Sequence, residues 1–344
     1  MTASVAPITP DAAPVESADA HRPRFPSAGW RVIAAKELGD HVLSVRFIVL
    51  LIALGFAAAI PLYFAAETIR SLASSASGAQ AVFLALFQLG SQNIPQLRVD
   101  YFVSIVAPLL GIAFAFDAVN SERAEGTLSR LVAQPIYRDD VINGKFVAGL
   151  AVIGIVLVSV ITFIAGFGIL RLGIVPHSAE VLRLIAWVAA TFLYVALWLA
   201  FGLLLSVLIR RAATAALIGF GVWLLITIFG GLITTILSGF FAPASTADAA
   251  SYLGAVQLQE FIPRLLPSTL YQEISSVILN PSVTSVSTPA TIGQYQQAQQ
   301  QIGSLLSLDQ SLLVVWPQVV ALVALTVVCF ALAYVAFMRQ EVRA

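Results

Sequence analysis

Two long apolar runs are separated by Asp117–Lys145, which reads DAVNSERAEGTLSRLVAQPIYRDDVINGK. Nine of the chain's 18 basic and 18 acidic residues fall here: Asp117, Glu122, Arg123, Glu125, Arg130, Arg138, Asp139, Asp140 and Lys145. A stretch this charged, held between runs this apolar, is a loop that water or a soluble partner can reach. The runs beside it approach the ~17–25 residues a helix needs to cross the hydrocarbon core of a bilayer. That contrast decides the fold class: all-α, polytopic, embedded in lipid.

Composition agrees. The 344 residues are 59% hydrophobic and 10% charged, with mean hydropathy +0.92. A water-soluble chain of this length carries about a quarter charged residues, so lipid must cover much of this surface. Formal net charge is zero, which gives nucleic acid nothing to bind. The single cysteine, Cys329, excludes an internal disulfide and a thiolate metal site, and reads as a small buried hydrophobe.

Six apolar runs are visible, at 47–66, 101–119, 146–170, 184–209, 212–237 and 312–338. Segment 81–89 is too short to span and is expected on, or dipping into, the outer leaflet. With the N-terminus inside, 13 lysines and arginines fall on cytoplasmic segments and five on external ones. The positive-inside rule then puts both termini and the 117–145 loop in the cytoplasm of a multi-pass cell-membrane protein.

The domain plan follows. Residues 1–25 have no apolar face and read as a disordered cytoplasmic tail. In 26–46, Trp30, Ala34, Leu38, Val42 and Val45 recur at helical spacing, with Lys36 and Glu37 elsewhere on the wheel. This predicts an amphipathic interfacial helix, the alternative being a plain lead-in to the first span. Five spans fill 47–237. An extracytoplasmic helical insertion, 238–312, contains a helix near 254–262 and a second one capped by Ser268. The second places Leu270, Ile274 and Ile278 on one face and stops at Asn280-Pro281. After it, 281–291 reads as loop, and the Gln-rich 293–301 as helix or disorder. Residues 313–344 hold the sixth span and a cytoplasmic C-terminus.

Much chemistry is absent. The six runs contain no ionisable residue except Asp117 near the inner end of the second, which argues against a proton-coupled pump. No zinc-protease motif occurs, and none of the three histidines lies in a span. No P-loop occurs either, so an energised process needs its motor on another polypeptide. Small residues at four-residue spacing, Gly111/Ala115 in the second span and Thr227/Gly231/Thr235 in the fifth, suit close packing, within one chain or at a dimer seam and pathway.

In the loop itself, Gly126 permits a sharp turn, Thr127–Gln134 predicts a short helix ended by Pro135, and Asp139 is placed to cap the third span. Physics alone leaves two readings open: a lever gripped by a partner, or a solvated loop that only fixes topology. The pattern F-D-x-x-x-x-E-x-x-x-G-T-L, followed by leucine, proline, arginine and G-K, resembles the permease subunit of type-2 ATP-binding-cassette (ABC) transporters, the exporter-like class. It is similar to permeases of nitrous-oxide-reductase maturation and gliding motility. The residues are Phe116, Asp117, Glu122, Gly126, Thr127, Leu128, Leu131, Pro135, Arg138, Gly144 and Lys145, with the K-E-L of Lys36, Glu37 and Leu38 ahead of the first span. The resemblance implies a coupling helix seated on an ABC ATPase subunit. The implied interface is Glu122, Arg123, Glu125, Gly126, Thr127, Leu128, Arg130, Leu131, Pro135 and Arg138, braced by Trp30, Lys36, Glu37 and Leu38. It implies pairing with a second permease, as homodimer or with a sister chain. No cofactor is expected on this chain, ATP and Mg belonging to the ATPase. The long 238–312 insertion departs from the family pattern and supports the alternative of a membrane scaffold or mechanotransmitter. Uncharged spans suit a lipid-like, amphipathic or apolar cargo.

Overall fold

The computed structural model describes residues 29–73, 82–90, 94, 97–126, 137–241, 249–286 and 305–340. All regular structure among them is helical. A backbone in lipid must satisfy its own hydrogen bonds, and in a single segment only a helix does so. The elements are α1 (Gly29–Val42), α2 (Val45–Ala73), α3 (Val82–Gln88), α4 (Val99–Ala115), α5 (Asn120–Ala124), α6 (Arg138–Leu172), α7 (Ser178–Leu208), α8 (Ala212–Phe241), α9 (Ala249–Phe261), α10 (Pro267–Leu279) and α11 (Leu308–Arg339). A 3-10 turn, Ile262–Leu265, joins α9 to α10.

Six helices are long and apolar enough to cross a membrane: α2, α4 with its extension to Ala124, α6, α7, α8 and α11. They are spans 1 to 6 and match the six apolar runs. Connectivity gives the bundle two ends. The loop end holds α1, the 117–145 loop, the 209–211 turn and the C-terminal residues. The distal end holds the remaining connections.

Span 4 is the central pillar, with 67% of its apolar window buried, against 17% for span 5 and 11% for span 6. Spans 2 and 4 meet at Gly111, where a Cβ would lie 2.7 Å from both Leu199 N and Val195 O. Gly111 and Ala115, read as candidates for a dimer seam or pathway, are therefore buried between spans of one chain.

The insertion leaves between spans 5 and 6 as expected, but its described part is no separate outer layer. Leu266, after the 3-10 turn, packs on Gly230 of span 5. Gly230 precedes the end of α8, Phe241, by a helix length of about 16 Å. From that depth α10 climbs antiparallel to span 4. Tyr271 stacks on Tyr194 at 4.6 Å and 8°. One turn on, Trp187 Nε1 donates to Ser275 Oγ at 2.7 Å, and then Arg183 Nη1 donates to Ile278 O at 2.8 Å. The segment is a re-entrant helical hairpin, and Leu270, Ile274 and Ile278 do form its buried face. Its start differs from expectation: Pro267 occupies the first turn and the capping position is Leu266, so Ser268 lies inside the helix.

Four other expectations need correction. Segment α3 is covered by protein rather than lipid: Phe83, Leu84, Leu86 and Phe87 are buried in the core shared with spans 1, 2 and 4. The α1 helix ends at Val42, and Ser44 Oγ accepts from Phe47 N at 3.1 Å to open span 1. Span 3 begins at Arg138 after Tyr137, so Asp139 sits in its first turn instead of capping it. Finally, the spans outrun the apolar runs and bury Asp100, Lys145, Glu180 and Arg183. Hydropathy ends at a charge, but a helix continues where that charge finds a partner inside the protein. Glu180, for example, accepts from Phe83 N at 3.0 Å and His177 N at 2.9 Å. The N-terminal tail and the Gln-rich 293–301 lie outside the described residues.

Substituting Gly111→Val should drive a side chain into backbone that cannot yield, costing at least ~1–3 kcal/mol and lowering the unfolding midpoint in detergent. Gly231→Ala, with nothing within 4 Å of the new Cβ, should leave the midpoint in place. An unchanged midpoint for Gly111→Val would mean that spans 2 and 4 do not meet here.

Candidate functional site: a charged joint at the loop end

The loop begins where span 2 loses its apolar character. Phe116–Val119 make a turn, and the backbone N–H groups of Val119 and Asn120 donate to the buried Ser206 Oγ of span 4 at 2.9 and 3.3 Å. Those are N–H groups that a helix start leaves without an intrahelical acceptor. After α5 the chain bends at Gly126, whose φ of 69° is the left-handed conformation that glycine adopts without strain.

Lys145, two turns inside the loop end of span 3, is the focus. Its Nζ lies 2.9 Å from Glu37 Oε1 on α1 and 2.7 Å from Glu122 Oε1 on α5. The lysine side chain is 3% exposed, the two carboxylates 14% and 17%. An ammonium this buried is tolerable only with its counter-charges in contact. Next to it, Gly144 lets α1 touch span 3: a Cβ there would sit 2.8 Å from Ile33 Cβ and 2.9 Å from Trp30 O. The K-E-L of α1, the glutamate of the loop and the G-K of span 3 thus converge on one cluster. Lys36 completes it at the surface, 3.8 Å from Glu37 and 3.3 Å from Asp40. Partial burial works against the charge of Lys36, but the Asp40 hydrogen bond and the nearby carboxylates outweigh it and raise its pKa above the usual lysine value.

A second clamp grips both roots of the loop from span 6. Arg123 Nη2 donates to Gln340 Oε1. Arg138 Nη2 donates to Gln340 O at 2.8 Å and Phe337 O at 3.3 Å, with its guanidinium 5.7 Å from the Phe337 ring centre. Gln340 Nε2 donates in turn to Val207 O at 2.7 Å, at the end of span 4. One amide therefore ties the loop to spans 4 and 6. Gln340 escapes a sequence reading because it stands between Arg339 and Glu341 in no motif, and only its place at the end of an apolar run hints at a role.

The predicted interface divides accordingly. The side chains of Glu122, Arg123 and Arg138 engage the bundle, whereas Glu125 and Gly126 are exposed. Thr127, Leu128, Arg130, Leu131, Pro135 and the helix expected around them lie outside the described residues. Trp30 is half-buried, with Arg31 5.3 Å from its ring centre, and Leu38 is half-buried against the core. On span 5, Thr227, Gly231 and Thr235 share an exposed face, and Thr235 Oγ1 donates to Gly231 O of its own helix at 2.8 Å. Among the described residues no group of three or more His, Cys, Asp or Glu could hold a metal ion.

Lys145→Met should strand two carboxylates and destabilise the fold by an amount near the lower end of ~3–5 kcal/mol, because both retain some solvent. Adding Glu122→Gln to that variant should recover part of the loss, as read from unfolding midpoints. No recovery would mean that the lysine acts through packing alone.

The comparisons with known proteins agree with this architecture. The family model for the ABC-2 family transporter protein matches residues 31–342. The probable ABC transporter permease protein NosY of Stutzerimonas stutzeri is similar at 28% identity over 210 residues, 58% of this chain and 67% of that protein. With a family match that runs from α1 to the end of the sixth span, the chain belongs to the ABC-2 transporter family and is a multi-pass membrane permease subunit.

Proposed function

We propose that this permease carries its cargo using ATP hydrolysed by a separate ABC ATPase subunit, which docks on the loop between spans 2 and 3. The observation that carries this reading is the double anchoring of that loop. Lys145 binds its first root to α1 and span 3, and Gln340 binds both roots to spans 4 and 6. A loop used only to fix topology needs charge and no such anchorage. A rigid body moved at its tip transmits displacement to whatever holds its base. Glu125 and the helix expected at 127–134 form the docking tip, while Glu122, Arg123 and Arg138 hold that tip against the spans.

In this arrangement the loop, α1 and both termini face the cytoplasm. ATP and Mg bind the ATPase, and the direction is export. Two copies, or this chain and a sister permease, meet across the open face of span 5, where Thr227, Gly231 and Thr235 lie exposed. A second reading has one observation in its favour. Because the re-entrant hairpin is bonded to span 4 along its length, the same motion could work the distal end as a mechanotransmitter without passing cargo. ATP-dependent flux in liposomes excludes that version.

Leu128→Asp with Leu131→Asp should abolish co-purification of an ABC ATPase. Gln340→Leu should preserve co-purification and weaken the dependence of ATP turnover on the permease by several-fold. Full ATPase recovery with the double variant would sink the docking assignment.

A further inference from the structure

At the loop end the arginines outnumber the groups that answer them. Arg123 on α5, Arg138 at the head of span 3 and Arg210 in the 209–211 turn come from three separate segments. Gln340 gathers the first two, since Arg123 donates to its side-chain oxygen and Arg138 to its main-chain oxygen. The same side chain donates to Val207 O, a short way before Arg210. Arg210 in turn lies close enough to Arg123 for the two like charges to act on each other.

Among the described residues none of these three guanidiniums forms an ion pair. Glu122 is committed to Lys145. Glu125, Asp139 and Asp140, nearby in sequence, pair with none of the three. A helix C-terminus carries about half a negative charge, so the ends of spans 4 and 6 offset roughly one positive charge of the cluster. The positive-inside rule asks for basic residues here, but arginines held apart would serve it as well. Their convergence costs repulsion and calls for an anion. Donors remain for one, because a guanidinium has five N–H groups. Arg123 and Arg138 each engage acceptors through Nη2 alone, and the exposed Arg210 engages none among the described residues.

The level of the cluster follows from the helices. Spans 2, 4 and 6 end at Ala124, Leu208 and Arg339. Leu208 and Met338 are exposed apolar side chains, whereas Arg210 and Arg339, just beyond them, are exposed charged ones. That change marks where hydrocarbon gives way to headgroups. Basic clusters between spans at this level bind anionic headgroups, and the guanidinium fork matches phosphate oxygens. We propose that Arg123, Arg138 and Arg210 form a site for a phosphate-bearing anion, either an anionic lipid headgroup or free phosphate. Bound there, the phosphate ties both roots of the loop to the turn that joins spans 4 and 5. The inference does not rest on ATPase docking, because binding needs this chain alone.

The test uses the full chain, without a partner, in two kinds of phosphatidylcholine nanodisc. One is doped with phosphatidylglycerol of the same acyl chains, and native mass spectrometry reads which lipid the protein retains. The other holds phosphatidylcholine alone, and inorganic phosphate is added while the unfolding midpoint is followed. Preferred retention of phosphatidylglycerol, or a midpoint raised by phosphate, is the expected result, and the arm that responds names the source. Arg210→Gln should weaken that response about 3- to 10-fold, the loss of one charge from the cluster. Arg171→Gln removes an exposed arginine at the distal end and should leave the response unchanged. No response in either arm overturns the proposal. A response that survives Arg210→Gln overturns it too, as does one that falls equally in both variants, the outcome of diffuse surface attraction.

Discussion

The loop end depends on one ammonium group. Lys145 enters the bundle at the head of span 3 and is held there by Glu37 and Glu122, from helices 108 and 23 positions away in sequence. Removing three charges from water is expensive, and mutual contact is what makes it bearable. The pairing therefore commits α1 to lie across span 3 and commits α5 to fold under span 2. Ile33 against Gly144 then supplies the close packing that the ion pairs position. Without that lysine, α1 would lose the charged contact that fixes it across span 3.

Gln340 plays a different part. It carries no charge, and it engages four elements through an amide side chain and a main-chain carbonyl. Its bonds to Arg123, Arg138 and Val207 O close a ring around the loop end, so spans 2, 3, 4 and 6 share a base. Spans 5 and 6 otherwise remain largely uncovered along their length. The bundle is thus firm where the loop meets it and open along the face where a second subunit or lipid would lie.

The six spans were legible because a hydropathy run reports what lipid tolerates, and so was the family, because the F-D, E, G-T-L and G-K residues are spaced along one loop. Gly144 and Lys145 could be read as the opening of a span, but their contact with Glu37 spans more than a hundred residues and leaves no local pattern. The apolar runs stopped short of the helices for a physical reason. Asp100, Lys145, Glu180 and Arg183 stop an apolar run, yet they continue a helix because protein, not lipid, surrounds them. The hairpin was read correctly for its buried face, since 3.6-residue periodicity survives any surroundings. Its depth was not legible, because Pro263, Arg264 and Pro267 look like an aqueous turn.

The hairpin also dictates an order of events during synthesis. Arg183 is made with span 4, but its acceptors, Ile278 O, Leu306 O and Ser311 Oγ, are made 95 to 128 residues later. Through that interval a guanidinium has no protein acceptor from these three, and only water or headgroups at the boundary can serve it. Span 4 therefore completes its distal-end contacts only after the hairpin and the start of span 6 have been made. Span 6 thereby supplies one of the bonds that hold the central pillar, so a chain cut before Ser311 would leave Arg183 without that partner.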